Sequence, residues 1–101
     1  MMTLPEVLSR LNRPEDFSRF LHDLCTPGEL KEMEMRWQVA QMLDGGADSY
    51  RDIAEKAGTS TTTVTRVARF LNDEPYQGYR MALAASYPRS AASRHAKGRA
   101  T

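Results

Sequence analysis

The run Tyr50-Arg51-Asp52-Ile53-Ala54-Glu55-Lys56-Ala57-Gly58-Thr59-Ser60-Thr61-Thr62-Thr63-Val64-Thr65-Arg66-Val67 decides the fold. Ala54 stands four residues before Gly58, Val64 six after it, and Val67 three further on. That is the spacing of a helix-turn-helix, expected over about residues 50–71. Two short helices crossing steeply need a small residue at their contact, and Ala54 fits. Their turn needs a residue that tolerates positive φ, and Gly58 supplies it. Ile53, Val64 and Val67 are placed to hold the second helix on the first.

The second helix begins with hydroxyls and continues with arginines: Ser60, Thr61, Thr62, Thr63, Thr65, Arg66 and Arg69. Hydroxyls bond to phosphates and base edges, and arginine pairs bidentately with guanine. Threonine is a mediocre helix former, so four of them on a merely solvated face would lower helix stability without return. Double-stranded DNA is the expected partner. Arg51, Thr61, Thr62 and Thr65 are the candidates for base edges or neighbouring groove contacts. Lys56, Ser60, Thr63, Arg66 and Arg69 are the candidates for phosphates or for holding the helix.

Further helices flank this motif. Leu4, Val7, Leu8 and Leu11 form one face of a first helix, which Asn12-Arg13-Pro14 interrupts. Pro14-Glu15-Asp16 opens a second, with Phe17, Phe20, Leu21 and Leu24 as its stripe. Thr26-Pro27-Gly28-Glu29 combines a cap, a first-turn proline and a capping box. It starts a long helix through Leu30, Met33, Trp37, Ala40 and Met42-Leu43 that stops at Gly45-Gly46. Ser49 with Asp52 opens the first helix of the motif, and Thr59-Ser60 opens the second. Asp73-Glu74-Pro75 is expected to start a last helix through Tyr79 and Leu83 toward Tyr87. No strand is expected, and the fold class is all-α with about six helices. The domain is placed at 1–87, followed by a basic flexible tail over 88–101.

The chain has 101 residues, 41% hydrophobic and 27% charged, the composition of one small globular domain. The longest apolar run, Met81 to Ala85, is far below the roughly 20 residues that cross a bilayer. No membrane partner is expected. The first residues lack the pattern of a signal peptide, and the single Cys25 can form no internal disulfide, so the expected location is cytoplasmic. Residues 1–74 carry a net charge of −4 and residues 75–101 a net of +5, through Arg80, Arg89, Arg94, Lys97 and Arg99. A basic end suits a polyanion, and equally suits a solvated tail.

The stretches Leu24-Cys25-Thr26-Pro27-Gly28-Glu29, Arg36, Tyr50-Arg51-Asp52-Ile53-Ala54 and Ser60-Thr61-Thr62-Thr63-Val64-Thr65-Arg66 carry a resemblance. The chain resembles the Trp repressor family, in particular its YerC/YecD-like branch, over roughly residues 17 to 83. The resemblance implies an intertwined homodimer and a transcriptional regulator, read as a repressor. In tryptophan-responsive members two arginines sandwich the indole, and Arg36 and Arg66 match both. Those members keep a glycine beside the second arginine and a serine three residues further on. Here Val67 and Phe70 stand at those positions, so the pocket is read as a remnant filled by side chains. The regulator is therefore expected not to depend on tryptophan, with no cofactor and with any other effector unassigned.

Other residues read blandly. Trp37 belongs to the core, Cys25 is expected to be a buried small hydrophobe, and His22 is a helix-surface residue. His22 and His95 lack partners at metal-ligand spacing. No phosphate loop, nucleophile-base pair or paired catalytic carboxylates are visible, and no enzyme activity is expected. Two rival functions stand beside this reading: a tryptophan-responsive repressor, and a helical dimerisation module that binds protein without DNA.

Overall fold

The computed structural model describes residues 1–86, all of them helix or connecting turn. Six helices follow in order: α1 Leu4–Ser9, α2 Pro14–Leu24, α3 Pro27–Gly45, α4 Tyr50–Ala57, α5 Thr61–Asn72 and α6 Gly78–Ser86. The all-α expectation holds. The segment 88–101 and a helix end at Tyr87 lie outside the described residues. The chain divides into two compact units, residues 1–34 and the residues from 35 onward, with the boundary inside α3.

In the first unit α1 begins with a capping box. The Thr3 hydroxyl accepts the Glu6 N–H at 3.3 Å, while the Thr3 N–H donates to Glu6 Oε1 at 2.7 Å. That backbone bond, with the Thr3 hydroxyl donating at 3.0 Å, holds the Glu6 carboxyl below its usual range. The helix ends at Ser9, before the apolar stripe does, because Arg10 and Leu11 bond back three residues to Val7 and Leu8. The predicted capping box of α3 is present: Glu29 Oε1 accepts the Thr26 N–H at 2.8 Å, and Thr26 Oγ1 accepts the Glu29 N–H at 3.1 Å. Neither α1 nor α2 contains a buried residue, although both carry the expected apolar stripes. Cys25 is half-buried rather than buried, because it sits at the end of α2, where the chain leaves the helix. His22 is exposed and bonds to the Ser18 carbonyl at 2.7 Å through Nδ1.

The second unit holds the core. Val39 and Ala40 of α3, Ile53 and Ala54 of α4, and Val64 and Val67 of α5 form one buried cluster. Met35, Trp37, Met42, Leu43, Ala57 and Tyr79 pack partly buried around it. Val39, outside the predicted stripe, is fully buried, whereas Trp37 only edges the core. Ala68, Leu71 and Leu83 are also buried.

The last helix starts later than predicted. Pro75 lies in a turn, and α6 begins at Gly78. Asp73 and Glu74 both donate their N–H groups to the Arg69 carbonyl, at 2.8 and 3.2 Å, which closes α5. Gln77 then takes a left-handed φ of 55°, and its side-chain amide donates to the Glu74 carbonyl at 2.7 Å. A residue in that conformation cannot continue a helix from Pro75. Arg80 ties three helices together, donating to Asp44 Oδ1 of α3 at 2.9 Å and to Asn72 Oδ1 of α5 at 2.7 Å. One charge of the basic end thus has a structural partner.

Candidate nucleic-acid interface

The helix-turn-helix is built from local signals. The Ser49 hydroxyl accepts the Asp52 N–H at 3.1 Å and starts α4. At the other end Gly58 adopts φ 72°, ψ 40°, and the Thr59 N–H reaches back to the Ala54 carbonyl at 2.9 Å. This is the six-to-one bond of a Schellman turn, which needs the left-handed residue to close. Ser60 caps α5, its oxygen accepting the Thr63 N–H at 3.2 Å. Ala54, 6% exposed, allows α4 and α5 to pack closely, and Ile53, Val64 and Val67 are buried beside it.

With that face buried, α5 turns Thr61, Thr62, Thr65, Arg66 and Arg69 outward, all of them exposed. Thr63 is half-buried, and its hydroxyl lies 3.2 Å from Ser60 Oγ, so both residues serve the cap. The Thr65 hydroxyl donates to the Thr61 carbonyl at 2.9 Å. Arg51 and Lys56 are exposed on α4. Two of the candidate cations are held by acids that spacing did not reveal. Lys56 Nζ lies 3.0 Å from Asp48 Oδ1, and Arg69 Nε lies 3.4 Å from Glu74 Oε2. A helical i, i+4 rule could not find Glu74, because it follows the end of α5. Tyr50, the first residue of α4, is exposed and was not among the predicted contacts.

Arg36, Arg66, Val67 and Phe70 are brought together, and Tyr79 of α6 joins them around an open cleft of about 160 Å³. The Arg66 guanidinium carbon lies 4.8 Å from the centre of the Phe70 ring, and that of Arg69 lies 5.2 Å away. Both distances are within the range of cation–π attraction. A neighbouring apolar cleft of about 300 Å³ lies between Phe70, Tyr76 and Tyr79. Among the described residues no group of His, Cys, Asp and Glu could hold a metal ion, and no helix is long and apolar enough to cross a membrane.

The family model described as Trp repressor protein matches residues 1–86. The chain belongs to the Trp repressor family. Within it, the chain is 43% identical over 58 residues to the uncharacterized protein YerC of Bacillus subtilis (strain 168). That stretch spans 57% of this chain and 55% of YerC, so just over half the length of this relative is matched. The crystal structure of a TrpR like protein from Eubacterium eligens ATCC 27750 superposes with a TM-score of 0.72 at 37% identity. The superposition covers 78% of this chain and 79% of that one. The six helices described above are thus a Trp-repressor-like fold.

Proposed function

We propose that this Trp repressor family member is a sequence-specific DNA-binding transcriptional regulator, read as a repressor, that acts as a homodimer. The observation that carries the proposal is the outward face of α5, where Thr61, Thr62, Thr65, Arg66 and Arg69 are exposed over a buried Val64–Val67 face. In helix-turn-helix proteins the second helix enters the major groove while the first crosses the backbone. Arg51 and Thr61, Thr62 and Thr65 then address base edges or the adjacent groove, and Lys56, Arg66 and Arg69 address phosphates. Ser60 and Thr63 hold the helix start. The domain of 1–87 carries this function, and the basic segment 88–101 adds sequence-independent attraction to the backbone. A second copy covers the stripes of α1 and α2, which hold no buried residue in one chain. Dimeric binding sets half-sites about 34 Å apart.

The same reading makes the regulator independent of tryptophan. Arg66, which matches an indole-sandwiching arginine of the tryptophan-responsive members, has the ring of Phe70 against it at 4.8 Å. Val67, 2% exposed, puts its isopropyl group where those members have no side chain. A ring entering this cleft of about 160 Å³ would have to displace the Phe70 ring and the Val67 branch, and overpacking of that kind costs about 1–3 kcal/mol. The rival reading, a tryptophan-responsive repressor, is favoured by Arg36 and Arg66 lining one cleft and opposed by Val67 and Phe70 in that cleft.

A salt titration of binding to random duplex DNA tests the main proposal. Affinity should fall linearly with salt on a log–log plot, and Arg66→Ala or Arg69→Ala should each flatten the slope by up to about one unit. Absence of duplex binding at low salt, or slopes untouched by both substitutions, favours the protein-binding dimerisation module instead.

A further inference from the structure

We infer that Thr65 reads DNA with its methyl group, as a contact to the 5-methyl of thymine, and not by donating its hydroxyl proton. The inference rests on the DNA-reading role proposed for α5 and assigns a chemistry to one of its positions. A threonine hydroxyl has one proton to donate. In Thr65 that proton goes to the Thr61 carbonyl, at 2.9 Å, one turn back in the same helix. The donation draws Oγ1 against the helix backbone, so the other branch on Cβ, the methyl, is the part left to project from an exposed side chain.

The neighbouring hydroxyls sharpen the assignment. Ser60 Oγ and Thr63 Oγ1 lie 3.2 Å apart and belong to the helix cap. Among the described residues the hydroxyls of Thr61 and Thr62 have no protein partner, so they keep their protons for an outside acceptor. The exposed start of α5 therefore divides into donors at Thr61 and Thr62 and an apolar contact at Thr65. In the major groove the thymine methyl is the apolar feature of the base-pair code, and a threonine methyl is one of the groups that meets it.

Binding-site selection with the full chain, followed by single uracil-for-thymine replacements across the selected site, tests this. Removing the contacted methyl should weaken wild-type binding about fourfold, the worth of one buried methyl group. Thr65→Val keeps the methyl and should retain both the selected base and its sensitivity to uracil. Thr65→Ser keeps the hydroxyl and should lose both. If serine preserves the preference and valine abolishes it, the oxygen reads the base and the inference is wrong. Equal tolerance of uracil at every thymine also overturns it, with the DNA-reading role intact. A wild-type chain that enriches no sequence and binds no duplex brings down the DNA-reading role as well.

Discussion

Replacing Gly58 with alanine should unfold the protein at lower temperature through backbone strain alone. Gly58 closes α4 at φ 72°, and a Cβ built there meets no atom within 4 Å. No steric clash contributes, so the cost is that of holding an L-residue in the left-handed region, about 1–2 kcal/mol. For a domain of this size each kcal/mol lowers Tm by about 4–8 °C, which places the expected loss at about 4–16 °C. Gly58→Asn should lose clearly less, because asparagine tolerates that region. Gly45→Ala is the matched control. Gly45 ends α3 without a positive φ, and its built Cβ is equally unobstructed, so Tm should hold or rise slightly. Thermal unfolding followed by circular dichroism, at one fixed protein concentration, measures all three. A Gly58→Ala protein as stable as the wild type would refute the argument that the motif depends on this left-handed residue.

Sedimentation at micromolar protein should give a dimer; a folded monomer of about 11.4 kDa would refute the role assigned to the α1 and α2 stripes. Calorimetric titration with millimolar tryptophan should give no saturable heat, and a DNA probe should be retarded equally with and without it. Arg80→Met should lower stability by about 1–2 kcal/mol, because it removes the guanidinium that donates to Asp44 at 2.9 Å and to Asn72 at 2.7 Å. Denaturant unfolding that shifts no further than for an exposed lysine would remove Arg80 from the structure's supports.

What was legible in the sequence was mostly short-range. Ser49, Gly58, Ser60 and the Thr26–Glu29 pair act on residues within one turn, and each is found where its local chemistry put it. Thr3 with Glu6 obeys the same rule but is harder to read, since a six-residue helix offers too short an apolar stripe to mark where it starts. Pro75 misled because a proline also suits a turn, and only Gln77 at φ 55° tells the two apart. Contacts between distant segments were not legible. Tyr79 meets Arg36 and Arg66 only because α6 folds back onto α5, and Asp44 finds Arg80 across 36 positions of chain. Val39 escaped the stripe because the burial of α3 centres on Val39 and Ala40, adjacent and both inaccessible, which no single 3.6-residue stripe marks.

The ring stacked on Arg66 belongs to the same helix, one turn along. A group tethered that closely is present at an effective concentration set by covalent geometry, in the millimolar range or above for short links generally. It cannot be diluted, depleted or outpaced by a change in supply. A diffusible ring at that arginine would have to compete against a neighbour that never leaves. On the proposed independence from tryptophan, the supply of a small aromatic metabolite would have nothing to vary at this position. Under the proposed homodimer, the quantity left to vary would be the number of copies of the chain, and the population of assembled pairs would rise more steeply than the copy number itself.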